Sequence, residues 1–267
     1  MLDSFDGGRH LCTKGTPVLS QLQQYLRTSA SQGRTTSRVG PFLVTIDEGT
    51  NHPFLNYAVP DDAARPSAEE VTAMVQAFVA RGRIPRLEYL EPAAPLVLAA
   101  LEAQGFALEA RVKAMTAARA ADVPLAEGHA FLVPETDADR TAMLTLQNVA
   151  YGAPPEVDAA QLARSRALEA AGGIILAIRA TVDGAIVAGG VTTAADGSGF
   201  TEVTGIAVAA DRRRRRLATA LTSELPRRAF AAGVATAFIT PGDDRAARVY
   251  ERAGFREIGQ MLHVRKE

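Results

Sequence analysis

The sequence predicts an α+β fold built as two lobes, each a mixed, mainly antiparallel sheet flanked by helices. Three observations predict it. Apolar residues switch between strand-like and helix-like spacing along the chain. An alanine-rich stretch, Ala117 to Glu127, interrupts that pattern, and the pattern then restarts. Finally, a helix ending in glycine, a short strand, a second helix and a Gly-Phe pair occur in that order in both halves. The division places one lobe at residues 1–120 and the other at 127–267, both ordinary domain sizes.

The elements follow in order. Residues 1–40 are polar, with one helix-like run at Val18 to Leu26. Strands are expected at Pro41 to Asp47 and Phe54 to Val59. Ser67 followed by Glu70 forms a capping-box signature, and Val71, Met74, Val75, Phe78 and Val79 continue it at helical spacing to Arg81. Arg86 to Leu90 is a strand, Pro95 to Gln104 a helix closed by Gly105, and Phe106 to Met115 a strand. Beyond the linker come a strand at His129 to Val133 and helices at Asp137 to Ala150 and Asp158 to Ala171. Three β-rich runs follow: Ile174 to Val182, Ala185 to Ala194 and Phe200 to Val208. Asp183-Gly184 and Asp196-Gly197-Ser198-Gly199 separate them, as hairpin turns do. The chain closes with a helix (Arg214 to Ala232), a strand (Ala235 to Thr240), a helix (Asp243 to Arg252) and a strand (Arg256 to Arg265). Pro226 should kink or split the first of these helices at a cost of about 3 kcal/mol.

Composition narrows the function. The net charge is −1, from 29 basic and 30 acidic residues, which argues against bulk binding to nucleic acid or anionic membrane. A single cysteine, Cys12, gives no intrachain disulfide and no thiolate zinc site, and His10, His52, His129 and His263 show no metal spacing. No apolar run is long enough to span a bilayer, and Met1 to Arg9, with Asp3 and Asp6, lacks a leader pattern. A reduced, soluble, cytoplasmic protein without a metal is expected.

One segment stands out: Val208-Ala-Ala-Asp-Arg-Arg-Arg-Arg-Arg-Leu-Ala-Thr-Ala-Leu221. Arginines at the positive end of a helix dipole are each unfavourable by about 0.3–1 kcal/mol, and they repel one another. Unpaired N–H groups at the same place suit a phosphate, and a bound anion would reconcile the two. A solvated basic face and a nucleic-acid contact are the other readings of the run alone.

In context the segment resembles the GNAT superfamily. That family carries a Gln/Arg-x-x-Gly-x-Gly/Ala loop for the pyrophosphate of CoA. Arg213 and Ala218 fall on its ends, Leu217 and Leu221 on its apolar positions, and Arg216 where glycine is usual. Downstream, Asp243-Asp-Arg-Ala-Ala-Arg-Val-Tyr-Glu-Arg-Ala-Gly-Phe255 resembles the family's Asn-x-x-Ala-x-x-Leu-Tyr-x-x-x-Gly-Phe. Ala246, Tyr250, Gly254 and Phe255 match, and Asp243 replaces asparagine. The resemblance implies acetyl-CoA as co-substrate. It would be held by the strand end Ile206, Ala207 and Val208, by Arg213, Arg214, Arg215 and Arg216, by Leu217, Ala218 and Thr219, and by Asp243, Ala246 and Tyr250.

An amine of pKa about 10.4 costs roughly 4.6 kcal/mol to deprotonate at pH 7, so its attack on a thioester benefits from a base. Glu202 is the base candidate. It lies on the same strand face as Thr204, Ile206 and Val208, and it precedes Arg213 by the spacing of the glutamate base in GNAT histone acetyltransferases. The other reading is a strand-end glutamate facing water. Tyr250 has two readings as well. The resemblance implies a proton donor to the leaving sulfur; helical spacing alone gives an aromatic core residue. Glu224, Glu251 and Glu257 read as surface charges.

The stretch Val71 to Arg111 repeats the shape of Leu217 to Arg265 without its chemistry. Leu101 stands in the place of Tyr250, and Asp61 and Asp62 replace the phosphate loop. The first lobe is therefore expected to be a degenerate copy that shapes the acceptor cleft. The implied activity is direct acetyl transfer to a primary amine on a small molecule, peptide or protein; Cys12 is too remote to serve as nucleophile. No nucleic-acid or membrane partner is expected, and a homodimer is left open. The rival functions are a catalytically silent acyl-CoA-binding regulator and a nucleic-acid-binding module built on Arg212 to Arg216.

Overall fold

The computed structural model describes residues 17–195 and 197–267, so His10, Cys12 and Asp196 lie outside the described residues. The first half contains α1 (Pro17–Ser31), β1 (Thr35–Val39), β2 (Phe42–Ile46), β3 (Tyr57–Pro60), α2 (Ala68–Val79), β4 (Arg86–Leu90), α3 (Val97–Glu102) and β5 (Ala107–Ala117). The second contains β6 (His129–Leu132), α4 (Asp137–Ala150), α5 (Ala159–Ala170), β7 (Ile175–Ala180), β8 (Ile186–Thr192) and β9 (Phe200–Val208). It ends with α6 (Leu217–Ala231), β10 (Thr236–Ile239), α7 (Asp244–Arg252) and β11 (Arg256–Arg265).

Local chemistry accounts for most of these boundaries. The Ser67 hydroxyl accepts from the Glu70 N–H and the Glu70 carboxylate accepts from the Ser67 N–H, so the capping box starts α2 as expected. Asp158 and Gln161 start α5 in the same way. Strand β1 was not foreseen. It is a polar, largely exposed strand at the sheet edge, so it carries little apolar alternation to read. The strand expected from Phe54 begins only at Tyr57, because Pro53–Leu55 forms a short 3-10 turn. Helix α6 runs unbroken through Pro226. Leu221 and Leu225, which precede it, are fully buried. At about 1.5–3 kcal/mol each, they offset the proline.

Among the described residues all the strands join one sheet of eleven, in the order β1-β2-β3-β4-β11-β5-β10-β9-β8-β7-β6. Pairing therefore crosses the division between residues 1–120 and 127–267. The last strand of the first half, β5, lies between β10 and β11, and the last strand of the second half, β11, lies between β4 and β5. Each half thus places its final strand beside a strand of the other.

The linker is pinned where it passes the second half. The Ala121 N–H donates to the Ala253 carbonyl at 3.1 Å, and the Ser223 hydroxyl donates to the Ala121 carbonyl. Gly254 has φ +106°, and a Cβ there would sit 3.0 Å from the Ala121 nitrogen and the Arg119 oxygen. Only glycine allows that crossing.

Candidate active site

The site begins where two strands part. β9 and β10 run parallel, and their register ends at Glu202 opposite Phe238. Beyond that pair β9 continues alone beside β8, with a bulge between the Gly189 and Val191 pairings. Gly205 carries φ +66° in the bulge. The bulge breaks the alternation, so Glu202 does not share one regular strand face with Ile206 and Val208, as strict alternation predicted.

A groove of about 630 Å³ opens from this divergence, a normal size for a small-molecule site. Its walls are Ile206–Val208 of β9, the following loop with Leu217, Ala218 and Thr219 of α6, and Asp243, Ala246 and Tyr250 of α7. Arg213, Arg214 and Arg216 also line it; Arg215 and Glu202 do not. All the other residues named for the co-substrate therefore converge on one groove. A second cavity of about 540 Å³, lined by Asp122, Val123 and Pro124 of the linker, shares Arg216, Thr219 and Arg252 with it.

The loop conformation departs from expectation. The helix starts at Leu217, not Arg214, and Arg214 and Arg216 are left-handed, with φ +67° and +60°. Arg216 thus adopts the backbone that glycine would take at this position, at a cost of about 1 kcal/mol. The left-handed Arg216 ahead of helical Leu217 turns successive N–H groups to one side, a concavity suited to an anion. No side chain caps the N-terminus of α6, so its donors stay open.

The equivalent helix of the first half is closed. At the start of α2 the Ser67–Glu70 box takes the Glu70 and Ser67 N–H groups and sets the Glu70 carboxylate at the helix end, where an anion would otherwise sit. Asp61 and Asp62 before it are held in ion pairs by Arg38 and Arg27. Leu101, in the place of Tyr250, is fully buried in an apolar cluster.

Sequence reasoning missed one side of the groove. Arg245, Arg248 and Arg252 of α7 also line it. Their i, i+3, i+7 spacing puts them along one helix face, and that signal was available in the sequence. Arg212 is paired with Asp183 and Asp211. Among the described residues, the other arginines of the groove have no carboxylate partner, so the groove carries excess positive charge. The groove therefore fits a pyrophosphate-bearing ligand. Asp243 caps α7 by accepting from the Ala246 N–H at 2.7 Å, so its carboxylate does what an asparagine amide oxygen could do. Glu224, expected at the surface, is 9% exposed and holds Arg227 and Arg228.

Tyr250 fits both of its readings. Its ring packs in the core near Phe255, and it lines the groove. Burial, then Tyr151 and Asp243, push its pKa up to about 12, so the hydroxyl stays protonated at neutral pH. Glu202 is half-buried. Burial, and then the charge of Glu88, raise its pKa to about 7. Glu88 itself goes the other way. Burial would raise it, but hydrogen bonds and charge from His263 and Arg86 outweigh burial and hold it low. The Glu202 N–H donates to the Thr193 hydroxyl at 2.9 Å, and the Tyr25 hydroxyl of α1 lies 2.7 Å from that same oxygen.

Residues 140–255 match the model of the acetyltransferase (GNAT) family. No curated protein matches the sequence. Among solved structures, the chain is similar to a GCN5-related N-acetyltransferase from Kribbella flavida, with 23% identity, TM-score 0.77, and 93% of this chain and 95% of that one covered. It is similar to a GCN5-related N-acetyltransferase from Sphaerobacter thermophilus, with 17% identity, TM-score 0.66, and 85% and 76% covered. A tandem GNAT protein from the clavulanic acid biosynthesis pathway aligns with 13% identity, TM-score 0.62, and 89% and 84% covered. At these identities the structures show a shared fold.

Proposed function

We propose, on the premise that residues 140–255 form a GNAT-family acetyltransferase domain, that the protein transfers an acetyl group from acetyl-CoA to a primary amine. The observation that carries this reading is the uncapped start of α6, behind left-handed Arg214 and Arg216, in one groove with Tyr250. Arg213, Arg214 and Arg216, with Arg245, Arg248 and Arg252, would hold the phosphates. When bound, acetyl-CoA supplies an activated thioester; the chain supplies position, a base and a hydrogen-bond donor.

Glu202 accepts the proton of the attacking amine, directly or through water. A base of pKa near 7 is about half ionised at neutral pH and stronger than an ordinary carboxylate. Tyr250 donates its hydroxyl hydrogen bond to the leaving sulfur. Complete transfer from a phenol of pKa about 12 to a thiolate near 8.5 is uphill by about 3.5 units, roughly 4.8 kcal/mol. Tyr250 therefore stabilises the developing charge, and the proton arrives later.

Thiol release from acetyl-CoA across a panel of amines tests the proposal. Amine-dependent release with acetylated product supports it. Tight acetyl-CoA binding with no release from any amine would instead favour a silent acyl-CoA-binding regulator.

A further inference from the structure

Two side chains one turn apart, Gln147 on α4 and Tyr151 at its C-cap, hold successive carbonyls of β9. Gln147 donates to the Gly205 carbonyl at 2.7 Å. The Tyr151 hydroxyl donates to the Ile206 carbonyl at 3.2 Å. These carbonyls lie in the stretch where β9 has bulged from β8 and left β10. Strand pairing is interrupted there, so backbone acceptors need other partners.

The two tethers differ. A Cβ on Gly205 would lie 2.7 Å from the Gln147 side-chain nitrogen, so backbone and amide fit closely. Tyr151 caps the end of α4, ahead of an irregular stretch that reaches to α5, and is 64% exposed. Its hydrogen bond to Ile206 stands the ring on the groove wall, where Ala150, Ile206 and Tyr250 also lie.

We propose that Tyr151 sets the size of the acyl group the site accepts, its ring closing the reacting end of the groove beside Tyr250. This rests on the acyl-transfer reading above. The Ile206 tether fixes how far the ring stands from Tyr250, and a longer acyl chain would have to displace it. Removing the ring opens that wall, and each additional methylene then finds apolar contact with Ile206 and Ala150, worth about fourfold in affinity.

The test uses the full chain and the variants Tyr151→Ala and Tyr151→Phe, each checked for an unchanged melting transition. Binding by calorimetry and kcat/KM are measured with acetyl-, propionyl-, butyryl- and hexanoyl-CoA, with free CoA as reference. In the unaltered protein, preference should fall steeply with chain length. Tyr151→Ala should flatten or invert that ranking, by about fourfold per methylene, while free CoA binds all three proteins alike. Tyr151→Phe keeps the ring but loses the Ile206 tether, so its ranking should fall between those of the unaltered protein and Tyr151→Ala. A folded Tyr151→Ala protein with the original ranking would overturn the assignment to Tyr151 and leave the acyl-transfer reading intact. If neither free CoA nor any thioester binds the unaltered protein, the acyl-transfer reading fails and this inference with it.

Discussion

The Tyr25 hydroxyl sits 2.7 Å from the Thr193 hydroxyl, which also receives the backbone N–H of Glu202. Helix α1 of the first half thus touches the residue that anchors the candidate base. Tyr25→Phe removes this contact and keeps the ring against Phe200 and Phe238. Turnover should fall several-fold with acetyl-CoA affinity unchanged, as kcat and KM measured separately will show. An equal loss in both would mean that the contact supports the groove rather than the base.

Glu202 fixes a pH profile. The base works when ionised, so activity should rise through an acidic limb near pH 7. Glu88→Gln removes a neighbouring negative charge. The pKa of Glu202 should then fall, and the limb should move to lower pH. A limb that stays in place would show that Glu88 does not act on the base. The same shift has a stability sign. The folded pKa is above the usual 4.5, so the folded state binds the extra proton between those values, and stability drops as pH rises through that window. Glu202→Gln should therefore melt higher than the unaltered protein at pH 8, and less so at pH 5.

Tyr250→Phe keeps the ring and deletes the donor. Turnover should fall roughly 10²-fold or more, with little change in the calorimetric affinity for acetyl-CoA. Unchanged turnover would leave Tyr250 as a core aromatic.

Arg216→Gly relieves a left-handed arginine and should stabilise the protein by about 1 kcal/mol before losses from the removed side chain. A melting curve without ligand isolates that effect. Arg245→Ala and Arg248→Ala touch no strained backbone and should weaken acetyl-CoA binding, more so at low salt.

One acetyl-CoA should bind per chain. The start of α6 is open to an anion, while that of α2 is filled by its own capping box behind two paired aspartates. Calorimetric stoichiometry near one is expected on that ground. Two equivalent sites would show that the first half binds CoA by some other surface.

The sequence carried the local signals well. Ser67 with Glu70, Gly105, Gly254 and the apolar stripes named most helix ends and strands, since those depend on residues a few positions apart. Three kinds of information were not local. The handedness of Arg214 and Arg216 comes from where α6 docks, because no propensity favours arginine there. The bulge at Gly205 depends on Gln147, far away in the chain. Glu224 reads as a surface charge until α6 is packed and its two arginines close over it. The arginine face of α7 is legible in the i, i+3, i+7 spacing of Arg245, Arg248 and Arg252.

The interleaving of β5 and β11 has a consequence for how the chain is made. On the ribosome, β4 and β5 emerge long before Arg256–Arg265, yet β11 must end up between them. The first half cannot close its sheet early without having to open it again. It must wait with an unfilled slot until Arg256–Arg265 has emerged, and the slot exposes strand edges prone to mispairing. A ribosome stalled shortly before residue 256 should hold a nascent chain far more sensitive to protease than the released protein. For the same reason a gene fragment encoding 127–267 alone supplies β10 and β11 without the strand that joins them.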